Sequence, residues 1–179
     1  MVSEPVALVA SFIAMVFVVM SYFVKKKGLY LLFQLLCIIF LVVSYFFEAK
    51  YFAMIGLVVG LGRTLTFFLH EKKGVQASIF WPFLFSGLTV AVYFIVNIGI
   101  LKEYSPYDML CLVALVAYAF IFRIRNLKVV RFCMIVPTVL SISFNLLTHA
   151  AIFATLTYVF ELLANLISIV KYHILPQKK

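Results

Sequence analysis

Tyr158-Val159-Phe160-Glu161-Leu162-Leu163-Ala164-Asn165-Leu166-Ile167-Ser168 sets a carboxylate, an amide and a hydroxyl inside an apolar run covering roughly residues 150–170. That run is long enough to cross a bilayer, whose hydrocarbon core of ~30 Å takes about 20 helical residues. Within it Thr157, Glu161, Asn165 and Ser168 fall at i, i+4, i+8 and i+11, one face of a helix. A carboxylate in mid-membrane is costly, so it is expected to face the protein interior and to have a partner there. The basic residue at comparable depth elsewhere is Arg63, in the third apolar run.

The rest of the chain has the same character. Of 179 residues, 66% are hydrophobic and only 12% are charged, too little polar surface to wet a soluble domain of this size. Long apolar runs separated by short charged breaks read as transmembrane helices. The class is an all-α polytopic membrane protein whose first partner is the lipid bilayer. The net charge of +9 does not call for nucleic acid, because the excess falls in alternate loops as the positive-inside rule requires. Cys37, Cys111 and Cys133 lie inside apolar runs without C-x-x-C spacing and read as small packing residues.

Seven spans are expected, over residues 5–24, 28–47, 51–69, 77–100, 106–123, 128–147 and 150–170. The tight breaks at Glu48 and His149 are the shortest. Lys25, Lys26 and Lys27 follow the first run rather than precede it, the reverse of a signal peptide, so it reads as a retained helix. The loops at 25–27, 72–73 and 123–131 and the tail from 171 hold twelve Lys and Arg, against Lys50 and Lys102 in the opposite loops. That asymmetry predicts the N-terminus outside and the C-terminus cytoplasmic.

Shifting the chain by 101 residues brings Pro5 onto Pro106, Lys27 onto Lys128 and Glu48 onto His149. Helix lengths and loop positions then match through three pairs of spans. The expected organisation is a first three-helix repeat (1–75), a linker helix (76–101) and a second three-helix repeat with a short cytoplasmic tail (102–179). An odd linker keeps the two repeats parallel, about an axis along the membrane normal. The same shift puts Thr157, Glu161 and Asn165 onto Gly56, Gly60 and Thr64, a polar stripe opposite a smooth one that allows close approach.

This three-plus-one-plus-three plan resembles the sugar-transporting SWEET proteins, the PQ-loop carriers and the nicotinamide-riboside-type vitamin transporters. The Pro-Gln pair of PQ-loop helices is missing, since Pro176-Gln177 lies in the tail. In its motifs the chain resembles the YgjV-type bacterial inner membrane proteins. The matching stretches are Gly62-Arg63-Thr64-Leu65, Phe144-Asn145 and Ala164-Asn165-Leu166-Ile167 ahead of a basic C-terminal residue. That resemblance implies an inner-membrane location and this architecture, and it implies no particular substrate. Phe144 stands where that family often has His, so no His role carries over.

Glu161, Asn165, Arg63, Asn145, Thr157 and Thr64 are the candidate substrate-binding residues. Each has a bland alternative. Glu161 and Arg63 could form a structural ion pair, Arg63 could snorkel to the headgroups, and the Asn and Thr side chains could join helices. Two functions stay open: a small-solute transporter with a polar midplane site between the bundles, or a non-transporting scaffold or assembly protein. No metalloprotease, Walker or nucleophile-elbow motif occurs, so neither enzyme activity nor a cofactor or metal is expected.

Overall fold

The computed structural model describes residues 3–48, 51–100, 106–148 and 152–174. The breaks at 49–50 and at His149, the loop holding Lys102 and Glu103, and the tail from 175 lie outside the described residues. Among the described residues seven α-helices follow one another: α1 Ser3–Phe23, α2 Lys27–Phe47, α3 Tyr51–Lys72, α4 Phe80–Tyr93, α5 Asp108–Ile121, α6 Leu127–Leu147 and α7 Ile152–Ile169. α4 runs on as π-helical turns over Phe94–Ile100 and α7 over Val170–Ile174.

Local chemistry sets several of the ends. Gly74, at φ 69°, lets the Val75 N–H reach back to the His70 carbonyl at 3.1 Å, the closure that ends many helices at a left-handed glycine. Asn126 precedes α6 and its Oδ1 accepts from the Lys128 N–H at 2.9 Å, satisfying one orphan donor. Pro82 sits in the first turn of α4, where the helix has no acceptor for an N–H. Hydroxyls within the helices are met locally as well. Thr64, Thr89 and Thr138 donate to carbonyls four residues back, at 2.8, 2.7 and 2.7 Å, as suits a medium without water.

Among the described residues five helical stretches are long and apolar enough to cross a membrane: Pro5–Phe23, Lys27–Phe47, Ala53–Lys72, Leu127–Leu147 and Ala154–Tyr172. The fourth and fifth expected spans are shorter than their apolar runs, at Phe80–Val96 and Asp108–Ile121. Residues 75–78 lie in an irregular link between α3 and α4, and Pro106–Tyr107 form a turn closed by Leu110 N–H to Tyr107 O at 3.0 Å. Phe12, Phe83, Val136 and Ile152 point outward from the bundle, where lipid rather than water suits them.

Each helix packs on its sequence neighbour, and α7 closes back on α1. α3 also touches α5 directly, so α4 backs that junction from outside. The inner ring is therefore α1, α2, α3, α5, α6 and α7, with two seams, α1/α7 and α3/α5. At the end holding the Lys- and Arg-rich loops, Lys27 meets Glu71 at 3.4 Å. Arg123 and Arg125 donate to the carbonyls of Ala77 and Gly74, both at 3.0 Å. Arg131 corrects the loop reading. It lies inside α6, 2% exposed, and its Nη2 donates to Tyr22 O at 2.9 Å and Val24 O at 2.8 Å. Those carbonyls end α1 and lack helical partners of their own.

Candidate functional site

A cavity of about 50 Å³ lies among α2, α3, α5, α6 and α7. At roughly 10–15 Å³ per water on this scale, it admits a few waters or one compact solute. Its polar wall comes from Gln34, Arg63, Ser141, Asn145, Thr157 and Glu161, and aromatic side chains such as Tyr45, Tyr118 and Tyr158 fill the spaces between them.

Glu161 reaches the cavity from α7 and is 3% exposed. Tyr22 of α1 donates its hydroxyl to Glu161 Oε1 at 2.8 Å. On the same seam Thr157 Oγ1 donates to the Ser11 carbonyl at a long 3.4 Å, and Tyr172 to Phe23 O at 3.0 Å. Gln34 lines the cavity from α2 and is held from behind, its Nε2 donating to Ser21 Oγ of α1 at 3.1 Å.

Arg63 enters from the opposite seam, also 3% exposed. Its Nη1 donates to the Leu115 carbonyl of α5 at 2.7 Å. The guanidinium lies over the rings of Tyr118 and Phe122, 5.6 and 5.3 Å from their centroids, within cation–π range. Gly60 makes room for it: a Cβ there would stand 3.3 Å from Arg63 Nη2. Arg63 does not snorkel, and it makes no ion pair with Glu161. Each charge is held by neutral groups on its own seam while both line one cavity.

Asn145 of α6 lines the same space, 1% exposed, and neither its Nδ2 nor its Oδ1 has a hydrogen-bond partner. The Tyr118 hydroxyl and Arg63 Nε are likewise buried without partners. Leaving such groups unmade costs about 1–3 kcal/mol each, so a polar group or water entering the cavity would be stabilised there.

Of the six sequence candidates, Glu161, Arg63, Asn145 and Thr157 come together at the cavity, and Asn165 and Thr64 stand away from it. Asn165 lies one turn beyond Glu161, and its Nδ2 donates to the Arg131 carbonyl at 2.8 Å, joining α7 to α6. Thr64 is met by the Gly60 carbonyl. Tyr22, Gln34 and Tyr118 were missed. Gln34 had a readable signal, a single amide in the middle of the apolar α2 run; the tyrosines had none among ten in the chain. Among the described residues no group of three or more His, Cys, Asp or Glu is placed to share a metal ion.

Fold and cavity together define a polytopic helical membrane protein with ionisable and amide side chains lining an interior cavity. Residues 6–175 match the family Imp-YgjV, described as bacterial inner membrane protein, and the chain belongs to that family. No curated protein and no solved structure matches it.

Proposed function

We propose that the protein is a small-solute carrier of the bacterial inner membrane, with all seven helices spanning and the polar cavity as its binding site. Under this reading residues 1–75 and 102–179 are parallel three-helix repeats, and 76–101 supply a linker helix that packs outside the ring. The N-terminus faces out and the C-terminus faces the cytoplasm, which puts Arg123, Arg125 and Lys171 on the inner side.

The pattern of burial supports the repeat. Buried Ala14, Val18 and Tyr22 of α1 correspond to buried Ala114 and Tyr118 of α5 and to Phe122 just past its end. In α2, Tyr30, Leu31, Gln34, Cys37, Ile38, Leu41, Ser44 and Tyr45 are buried, and every position one hundred residues later is buried in α6. The third pair keeps an offset of 101: Ala53, Gly56, Gly60, Thr64 and Phe67 against Ala154, Thr157, Glu161, Asn165 and Ser168. One residue is thus added at the break between α6 and α7, in place of a uniform shift of 101.

The observation that carries the carrier reading is the cavity between the bundles, where buried Arg63 and Glu161 form no ion pair with each other and the Asn145 amide makes no hydrogen bond. A scaffold protein gains nothing from such groups, because filling the space with apolar side chains would be more stable. A thermal-shift screen in detergent tests it, with sugars, nucleosides, vitamins and organic acids at millimolar concentration. A solute present at a hundred times its Kd stabilises the fold by about 2.7 kcal/mol. The expected result is a hit that Asn145→Ala and Glu161→Gln abolish. Silence across the panel, with both variants only less stable, would favour the scaffold.

A further inference from the structure

The two seams are chemical opposites built on one geometry. On α1/α7 the hydroxyl of Tyr22 donates to the carboxylate of Glu161. On α3/α5 the equivalent of Tyr22 is Phe122, which offers no hydroxyl, and its ring faces the cation of Arg63. Where α7 carries Glu161, α3 carries Gly60, and the room this leaves is taken by Arg63 itself. One wall of the cavity carries the carboxyl group of Glu161 and the wall across from it the guanidinium of Arg63. Neither charge neutralises the other, and the amide of Asn145 lines the same cavity with donor and acceptor both unpartnered.

We infer that the solute is a small dipolar molecule bearing a cationic amine and a carboxylate, bound with its amine at Glu161 and its carboxylate at Arg63 and Tyr118. This rests on the carrier reading and names its substrate class. Buried charges of both signs reject neutral solutes and simple ions alike, since either would leave one charge desolvated and unmatched. The Tyr118 hydroxyl and Arg63 Nε, both without partners, add donors on the carboxylate side, and Asn145 can serve either end.

The test is binding by thermal shift together with counterflow in proteoliposomes, using probes of similar size. Glycine, β-alanine and γ-aminobutyrate vary the charge separation; acetate, ethylamine and ethylene glycol supply anion, cation and neutral controls. The wild type is expected to bind and exchange at least one amino acid, and to bind none of the controls. Glu161→Gln, which keeps an acceptor for Tyr22, is expected to weaken the amino acid at least tenfold and to gain acetate. Arg63→Met is expected to weaken it similarly and to gain ethylamine. Those opposite gains are readouts that a structural role would not produce. Binding of a sugar or nucleoside that depends on Asn145, with the amino acids inert, would overturn the dipolar assignment and leave the carrier reading standing. No binding or exchange by any solute in folded wild-type protein would overturn both.

Discussion

Asn145 shows how stability and binding part company at a single residue. Its amide is buried without a hydrogen bond, so Asn145→Leu removes an unmet polar group from a cavity wall while keeping the same branched side-chain skeleton. The variant is expected to be as stable as wild type or more stable, by up to about 1–3 kcal/mol, and to lose solute binding. Denaturation and binding measured on one preparation check this; a helix-joining Asn would give the reverse. Tyr22→Phe is expected to destabilise by roughly 1–3 kcal/mol, because the buried Glu161 loses a charge-assisted hydrogen bond. Thermal unfolding of the variant reads that cost. The sequence marked Glu161, Arg63 and Asn145 because ionisable and amide groups are rare inside apolar runs. It could not show that Glu161 would take Tyr22 rather than Arg63, since that choice depends on which seams the helices form. Nor did the i+4 stripe separate Thr157 and Glu161 from Asn165, which shares their helix face and bonds Arg131 one turn further on.

At the scale of elements, hydropathy and charged breaks made the helices readable, and α2 and α6 begin and end close to where the loop residues placed them. The shortened α5 was not readable, because Pro106 and Tyr107 suit a turn as well as a first helical turn. The burial of Arg131 was hidden for a related reason: four basic residues in a row of nine look like one loop, while the open carbonyls ending α1 and the Tyr172 ring draw this one inward. Asn165→Ala tests the division between joining and binding. It is expected to cost on the order of 0.6 kcal/mol, the usual size of an interhelical contact in a membrane protein, and to leave solute affinity unchanged. The Lys27–Glu71 pair, with Glu71 partly exposed, is a weaker fastener. A double-mutant cycle on it is expected to give about 0–1 kcal/mol, falling as salt is raised.

Across the whole molecule, the ring is fastened unequally. The α1/α7 seam carries side-chain hydrogen bonds from Tyr22, Thr157 and Tyr172. The α3/α5 seam carries Arg63 to Leu115 O and is backed by α4. In the proposed carrier, movement of one bundle against the other is expected to pivot on the first seam and part the second. The apolar spans were legible in hydropathy, but the cavity was not, because it arises from which faces of five helices meet. The most direct measurement is solute counterflow through a seam that can be locked. A Cβ at Gly56 would lie 2.9 Å from Leu115 Cδ1, so the two positions face each other across α3/α5, and Gly56→Cys with Leu115→Cys, after replacing Cys37, Cys111 and Cys133, sets two thiols there for a short reducible cross-linker. Exchange is expected in the reduced protein, to stop on cross-linking and to return on reduction. Exchange that continues unchanged in the cross-linked protein, or that never occurs in the reduced one, would contradict a carrier working around this cavity.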